Sequence, residues 1–174
     1  LCDDGKYRKG TILTTWDKSN GFNDSLRIAS VTTSGYFVNN DQYDYAMTMT
    51  NNGRRNGYLS WDVSVTKANI TFADGETIRY TSNRTSELTT SGPSFYINVY
   101  SVTGTADATG KNGKHFAAKI TKPQIVTPAC RWIKEGIVEI TPDGGAVCTV
   151  DYGTGGCDGK ATAEINGVIT NLTL

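Results

Sequence analysis

His115 is the only histidine of the 174-residue chain, so a Ser-His-Asp triad would have to pass through it. It stands in an alternating segment with Lys114 and Lys119, and no G-x-S-x-G element lies nearby. That setting reads as a solvent-facing imidazole. Glycoside hydrolysis needs two facing carboxylates, one of them with its pKa raised by burial. The five glutamates are Glu76, Glu87, Glu135, Glu139 and Glu164. Glu135 and Glu139 are four apart, which in a strand is roughly 13 Å. Catalytic pairs sit about 5–9.5 Å apart, so these two read as surface charges. Calcium needs six to eight oxygens, usually from several carboxylates close in sequence. Asp3 and Asp4 beside Gly5, and Asp41 and Asp44 around a Tyr-rich turn, fall short of the EF-hand pattern. The reading is therefore non-enzymatic, with no catalytic residue, metal site or cofactor.

Cysteine chemistry is more informative. Cys2, Cys130, Cys148 and Cys157 form no C-x-x-C pair and lie far from His115, which argues against zinc. Two disulfides in an oxidising compartment fit better. If Asp143 and Gly144 are the loop residues of a regular hairpin, the register sets Cys130 opposite Cys157. Cys2–Cys148 then follows by elimination. A single bulge would spoil that register, so the other two connectivities stay open.

Sugar recognition uses aromatic faces beside amides and carboxylates. Tyr36, Phe37, Tyr43 and Tyr45 flank Asn39, Asn40 and Asp41, and Tyr96 and Tyr100 are expected on one face of another strand. These tyrosines are the candidate glycan contacts, although Tyr is also an ordinary filler of β-sheets. N-x-[ST] sequons occur at Asn23, Asn69, Asn83 and Asn171.

The elements that would carry these groups are strands. Thr is the commonest residue at 25 copies, with nine Tyr and 19 Gly. Thr and Tyr favour pleated, half-buried surfaces, and Gly favours turns. Period-two alternation places Trp61, Val63 and Val65 on one face and Ser60, Asp62 and Ser64 on the other. Phe95 to Val102 and His115 to Ile120 alternate similarly. Asp74-Gly75, Asp143-Gly144 and Asn166-Gly167 are type I′ turn signals, and Lys111 to Lys114 is another turn. No amphipathic helical stretch exceeds two turns. The expectation is one all-β domain over residues 1–174, an antiparallel sandwich or an elongated antiparallel sheet of about 10–12 strands. Seventeen basic and seventeen acidic residues leave no net charge, which excludes the cationic face of a nucleic-acid binder. Nothing approaches the apolar run of a membrane-spanning helix.

The two ends echo each other. Cys2-Asp3-Asp4-Gly5-Lys6 precedes Ile12, and Cys157-Asp158-Gly159-Lys160 precedes Ile165. A strand, Ala146 to Tyr152, stands before the second copy, and only Leu1 stands before the first. The expectation is an open sheet edge near Cys2, able to accept a strand. The candidate donor is Ile165 to Leu174, with Ile165, Val168, Ile169, Leu172 and Leu174 as its apolar residues.

Several segments together resemble a known family. They are Arg8-Lys9-Gly10, Thr50-Asn51-Asn52-Gly53, Thr71 to Gly75 with Thr81-Ser82-Asn83-Arg84-Thr85, and Thr103 to Ala106 with Asn112-Gly113-Lys114. Cys130-Arg131-Trp132-Ile133 with Glu135-Gly136, and Asp151-Tyr152-Gly153 to Ala163, complete the pattern. It is similar to a large family of uncharacterised secreted or lipid-anchored β-proteins of Bacteroidota (Flavobacteria and relatives). The resemblance implies an extracellular or outer-surface location in a Gram-negative bacterium and brings no catalytic residues. It also implies a strand ahead of the Cys2 turn, which strengthens the open-edge reading. Asp24-Ser25-Leu26 resembles the O-glycosylation tripeptide of such bacteria, with Ser25 as acceptor. The function expected is an extracellular structural or interaction protein, self-associating head to tail or meeting another surface protein through strand edges. The alternative is a carbohydrate-binding surface module.

Overall fold

The computed structural model describes residues 2, 5–17, 26–55 and 57–174. Eleven antiparallel strands follow one another: β1 (Arg8–Trp16), β2 (Ile28–Val38), β3 (Asp41–Arg55), β4 (Tyr58–Thr71), β5 (Thr77–Thr90) and β6 (Val99–Thr109). Then come β7 (His115–Val126), β8 (Glu135–Pro142), β9 (Cys148–Thr154), β10 (Lys160–Ile165) and β11 (Val168–Thr173). They form one sheet in chain order. Among the described residues there is no α-helix, and no helix is long and apolar enough to cross a membrane.

Pairing register explains the single layer. Directly opposed residues trace one row across all eleven strands: Thr14, Val31, Met47, Val65, Ser82, Ala106, Ala118, Ile140, Cys148, Ile165 and Val168. The neighbouring row is Thr15, Ser30, Thr48, Ser64, Asn83, Thr105, Lys119, Glu139, Thr149, Glu164 and Ile169. Successive residues of a strand point to opposite faces, so one face is apolar and the other polar. On the polar face Ser64 Oγ donates to Asn83 Oδ1 at 2.7 Å, and Thr85 Oγ1 donates to Asp62 Oδ1 at 2.8 Å. Lys119 directly opposes Glu139, a favourable cross-strand pair.

The buried apolar residues, Ala29, Val65, Ala68, Val150 and Ala161, all belong to the apolar face. Tyr45 and Tyr80 flank Ala68 on adjacent strands, and their rings meet at 6.4 Å between centroids. Trp61 and Tyr100 approach to 6.2 Å on the same face. The core is therefore one layer of side chains partly roofed by its own aromatic rings. Among the described residues no second sheet covers it, because substantial contacts join only strands consecutive in the chain. The elongated-sheet expectation holds and the sandwich does not. Accessible surface is 10733 Å², against about 8,300 Å² for a globular monomer of this mass.

Several local expectations are corrected. Phe95–Ile97 is a 3₁₀ turn rather than strand, capped when Ser94 Oγ accepts from the Tyr96 N–H. Pro93 and this cap delay β6 to Val99, so Tyr96 and Tyr100 do not share a strand face. Only Asn166-Gly167 has both loop residues at positive φ, as type I′ requires. Asp74-Gly75 belongs to a three-residue loop, closed by Phe72 N–H to Glu76 O at 2.9 Å. There the Asp74 carboxylate accepts from the Glu76 N–H at 2.9 Å, which favours the longer loop. Asp143-Gly144 also departs from type I′, because Asp143 does not take positive φ.

Candidate functional site

β1 and β11 are the two outer strands, and no described residue pairs with the far side of either. Asp17 N–H donates to Ile28 O at 3.1 Å, so alternation turns the N–H and C=O of Ile12, Thr14 and Trp16 outward. Leu174 N–H donates to Gly159 O at 2.8 Å, so Ile169, Asn171 and Thr173 turn theirs outward from β11. These edges also carry much of the exposed apolar surface. Tyr7, Ile12, Leu13 and Trp16 crowd the first edge, and Ile165, Val168, Ile169 and Leu174 the second.

The edges differ in protection. Natural edge strands are shielded by charges, bulges or prolines. β1 has Arg8, Lys9 and a register shift between Lys9 and Thr11. Lys9 Nζ lies 4.4 Å from the Phe37 ring centroid. From Ile165 to Leu174 there is no charge and no proline, and the β10–β11 register is regular. Leu172 belongs to the same strand and is half-buried. The sequence-expected donor segment is thus an intact hairpin arm that presents its edge in place.

The turn before β1 is specific. Cys2 N–H donates to Lys6 O, and Gly5 N–H to Cys2 O, each at 2.9 Å. Phe72–Glu76 and Gly110–Lys114 close the β4–β5 and β6–β7 hairpins with the same two bonds, each with a glycine at positive φ. The Cys2–Lys6 turn therefore has hairpin geometry.

Cys130 and Cys157 form the expected disulfide, with Cα atoms 5.8 Å apart. The reason differs from the register argument. Cys130 lies in the loop before β8, not in the ladder, and the bridge ties that loop to the turn between β9 and β10. Cys2–Cys148 is not formed, and both thiols are free. Cys2 precedes β1 while Cys148 lies in β9, eight strands away across the sheet, far beyond disulfide reach.

Tyr36, Tyr43 and Tyr45 are half-buried on the apolar face, with Tyr36 and Tyr43 rings edge-on at 6.4 Å. Tyr100 packs on Trp61. Tyr96 instead projects beside Phe95, both strongly exposed, with centroids 6.1 Å apart. His115 sits on the polar face between carboxylates, Asp143 Oδ1 3.2 Å from Nδ1 and Asp107 Oδ1 3.7 Å from Nε2. Glu135 pairs with Lys122 at 2.8 Å, an interaction that raises the lysine pKa. Glu76 pairs with Lys111 at 2.8 Å. Asp41 accepts from the Ala73 N–H, and Asp44 pairs with Lys67. Among the described residues no group of three His, Cys, Asp or Glu could hold a metal ion. Ser25, Asn23, Asp3 and Asp4 lie outside the described residues. No protein-family model, curated protein or solved structure matches this chain.

Proposed function

We propose that this chain is an extracellular structural subunit that associates through the edges of its sheet, on the outer surface of a Gram-negative bacterium. The observation that carries the reading is one eleven-stranded sheet whose two end strands pair with no other described strand on their outer sides and are flanked by exposed apolar residues. Main-chain pairing at such edges gives affinity, and alternate side chains give specificity. The hairpin geometry of the Cys2–Lys6 turn supports β1 as an accepting edge. The Cys130–Cys157 disulfide supports an oxidising compartment.

Strand parity constrains the assembly. With an odd number of antiparallel strands, β1 and β11 run in the same direction. A head-to-tail contact between identically oriented copies therefore pairs β11 with β1 in parallel. An antiparallel contact that keeps the apolar faces on one side joins like edges about a twofold axis. Thr14→Pro and Asn171→Pro each delete one outward N–H without touching the bonds to β2 or β10. The double variant is expected to remain monomeric at concentrations where the parent chain assembles, with an unchanged far-UV spectrum. Undiminished assembly of a folded double variant would contradict the edge mechanism. A second reading, glycan capture, is favoured by the exposed Phe95–Tyr96 pair beside Asn98. It expects glycan-array binding that Tyr96→Ala abolishes, and an array without signal would oppose it.

A further inference from the structure

The apolar face contains a hollow of about 370 Å³ floored by Ser82, Ala106 and Ala118, three small residues in consecutive positions of the central row. Tyr80, Arg84 and Tyr152 line its sides. Two of its polar groups lack partners. Ser82 is 4% exposed, and its Oγ has no hydrogen-bond partner. A buried hydroxyl left unpaired carries a desolvation cost, and a ligand that accepts its proton relieves it. Arg84 forms no ion pair with a described residue. From Tyr43 in β3 to Leu172 in β11, the register places one other charged residue on the apolar face, Arg54 at the end of β3 opposite Leu59, and its guanidinium donates to Gly57 O at 2.9 Å. A Cβ on Gly104, across the ladder in β6, would meet Asn83 O at 2.2 Å and Arg84 Cα at 2.7 Å, so this glycine lets the β6 backbone lie close against β5 beside Arg84. Lys119 also lines the hollow, from a residue that the register turns to the polar face.

We propose that this hollow binds an amphipathic carboxylate. The guanidinium donates to the carboxylate oxygens, bidentate if the fork aligns. Ser82 O–H donates a further bond, and the apolar tail covers Ala106 and Ala118. A single arginine in an apolar setting suits a monoanion with a tail better than a hydrated phosphate. The hollow equals about a dozen water volumes, which suits a medium-chain tail. This site is independent of the strand edges, since none of its residues lies on β1 or β11.

Calorimetric titration of the whole chain with decanoate, below its micelle concentration, tests the proposal. Decanol and inorganic phosphate serve as comparison probes. Saturable binding of one decanoate per chain is expected, with decanol and phosphate each much weaker. Arg84→Gln is expected to weaken decanoate binding at least tenfold, and Arg84→Lys less. Ala118→Leu, which fills the floor while keeping the face apolar, is expected to abolish it. Far-UV spectra identify any variant that fails to fold. Absence of saturable decanoate binding, equal binding of decanol, or unchanged affinity in a folded Arg84→Gln chain would each overturn the proposal.

Discussion

Tyr45 and Tyr152 show how single side chains serve a one-layer core. Both have pKa values raised above the ordinary 10.0, Tyr152 by burial, and Tyr45 by burial first and then by Tyr80. A raised folded-state pKa means that the native state holds the phenolic proton more tightly than the unfolded chain. The stabilisation is complete below the unfolded value and is lost as pH rises through the folded one. Melting temperature is therefore expected to fall above about pH 10, and to fall less in a Tyr45→Phe/Tyr152→Phe chain. An identical alkaline loss in both would contradict this assignment. At this scale the sequence was legible wherever alternation was clean: Trp61, Val63 and Val65 share the apolar face as their spacing requires. The Ser82–Arg84 hollow was not legible. Its small residues come from three different strands, and only the pairing register brings them together.

Turns and clamps decide what each element can do. Asn166-Gly167 was readable because Asn and Gly both tolerate positive φ, and both adopt it. The Asp-Gly turns misled because the side chain can pull the loop into a longer form, as the Asp74 carboxylate does. The Cys130–Cys157 pairing was right for a reason the register did not contain, and the Cys2–Cys148 pairing that followed by elimination was wrong. In the loop bearing Cys130, Lys134 O accepts from the Gly155 N–H at 2.8 Å. Trp132 crowds Gly159, where a Cβ would meet its ring at 2.9 Å. The bridge spans 27 residues, a loop whose closure stabilises by about 3.5 kcal/mol in the chain-entropy view. Cys130→Ser/Cys157→Ser is expected to lose about that much in urea unfolding, whereas Cys2→Ser, exposed and unbridged, should change stability by less than about 0.5 kcal/mol. A large effect at Cys2 would show that its thiol has a partner in solution. The N-terminal echo gains structural content here. Its five-residue turn closes with the same bonds as two authentic hairpins, although the following strands differ by the bulge near Gly10.

For the whole molecule, strand content and antiparallel pairing followed from composition and turn spacing, whereas the strand order came only from the structure. The choice between sandwich and single sheet did not, because hairpin order says nothing about where a meander folds back on itself. Among the described residues it does not, and one apolar face is left to self-cover. Such a sheet gains little from closing within one chain and more from being extended, which is why its edges carry the functional argument. The most direct test is the solution mass of the purified chain by light scattering across a dilution series, with electron microscopy of the same material. Edge association is expected to give masses at multiples of 18.8 kDa that persist on moderate dilution, and either twofold dimers or regular filaments in images. A monodisperse species of 18.8 kDa at the highest attainable concentration would contradict it.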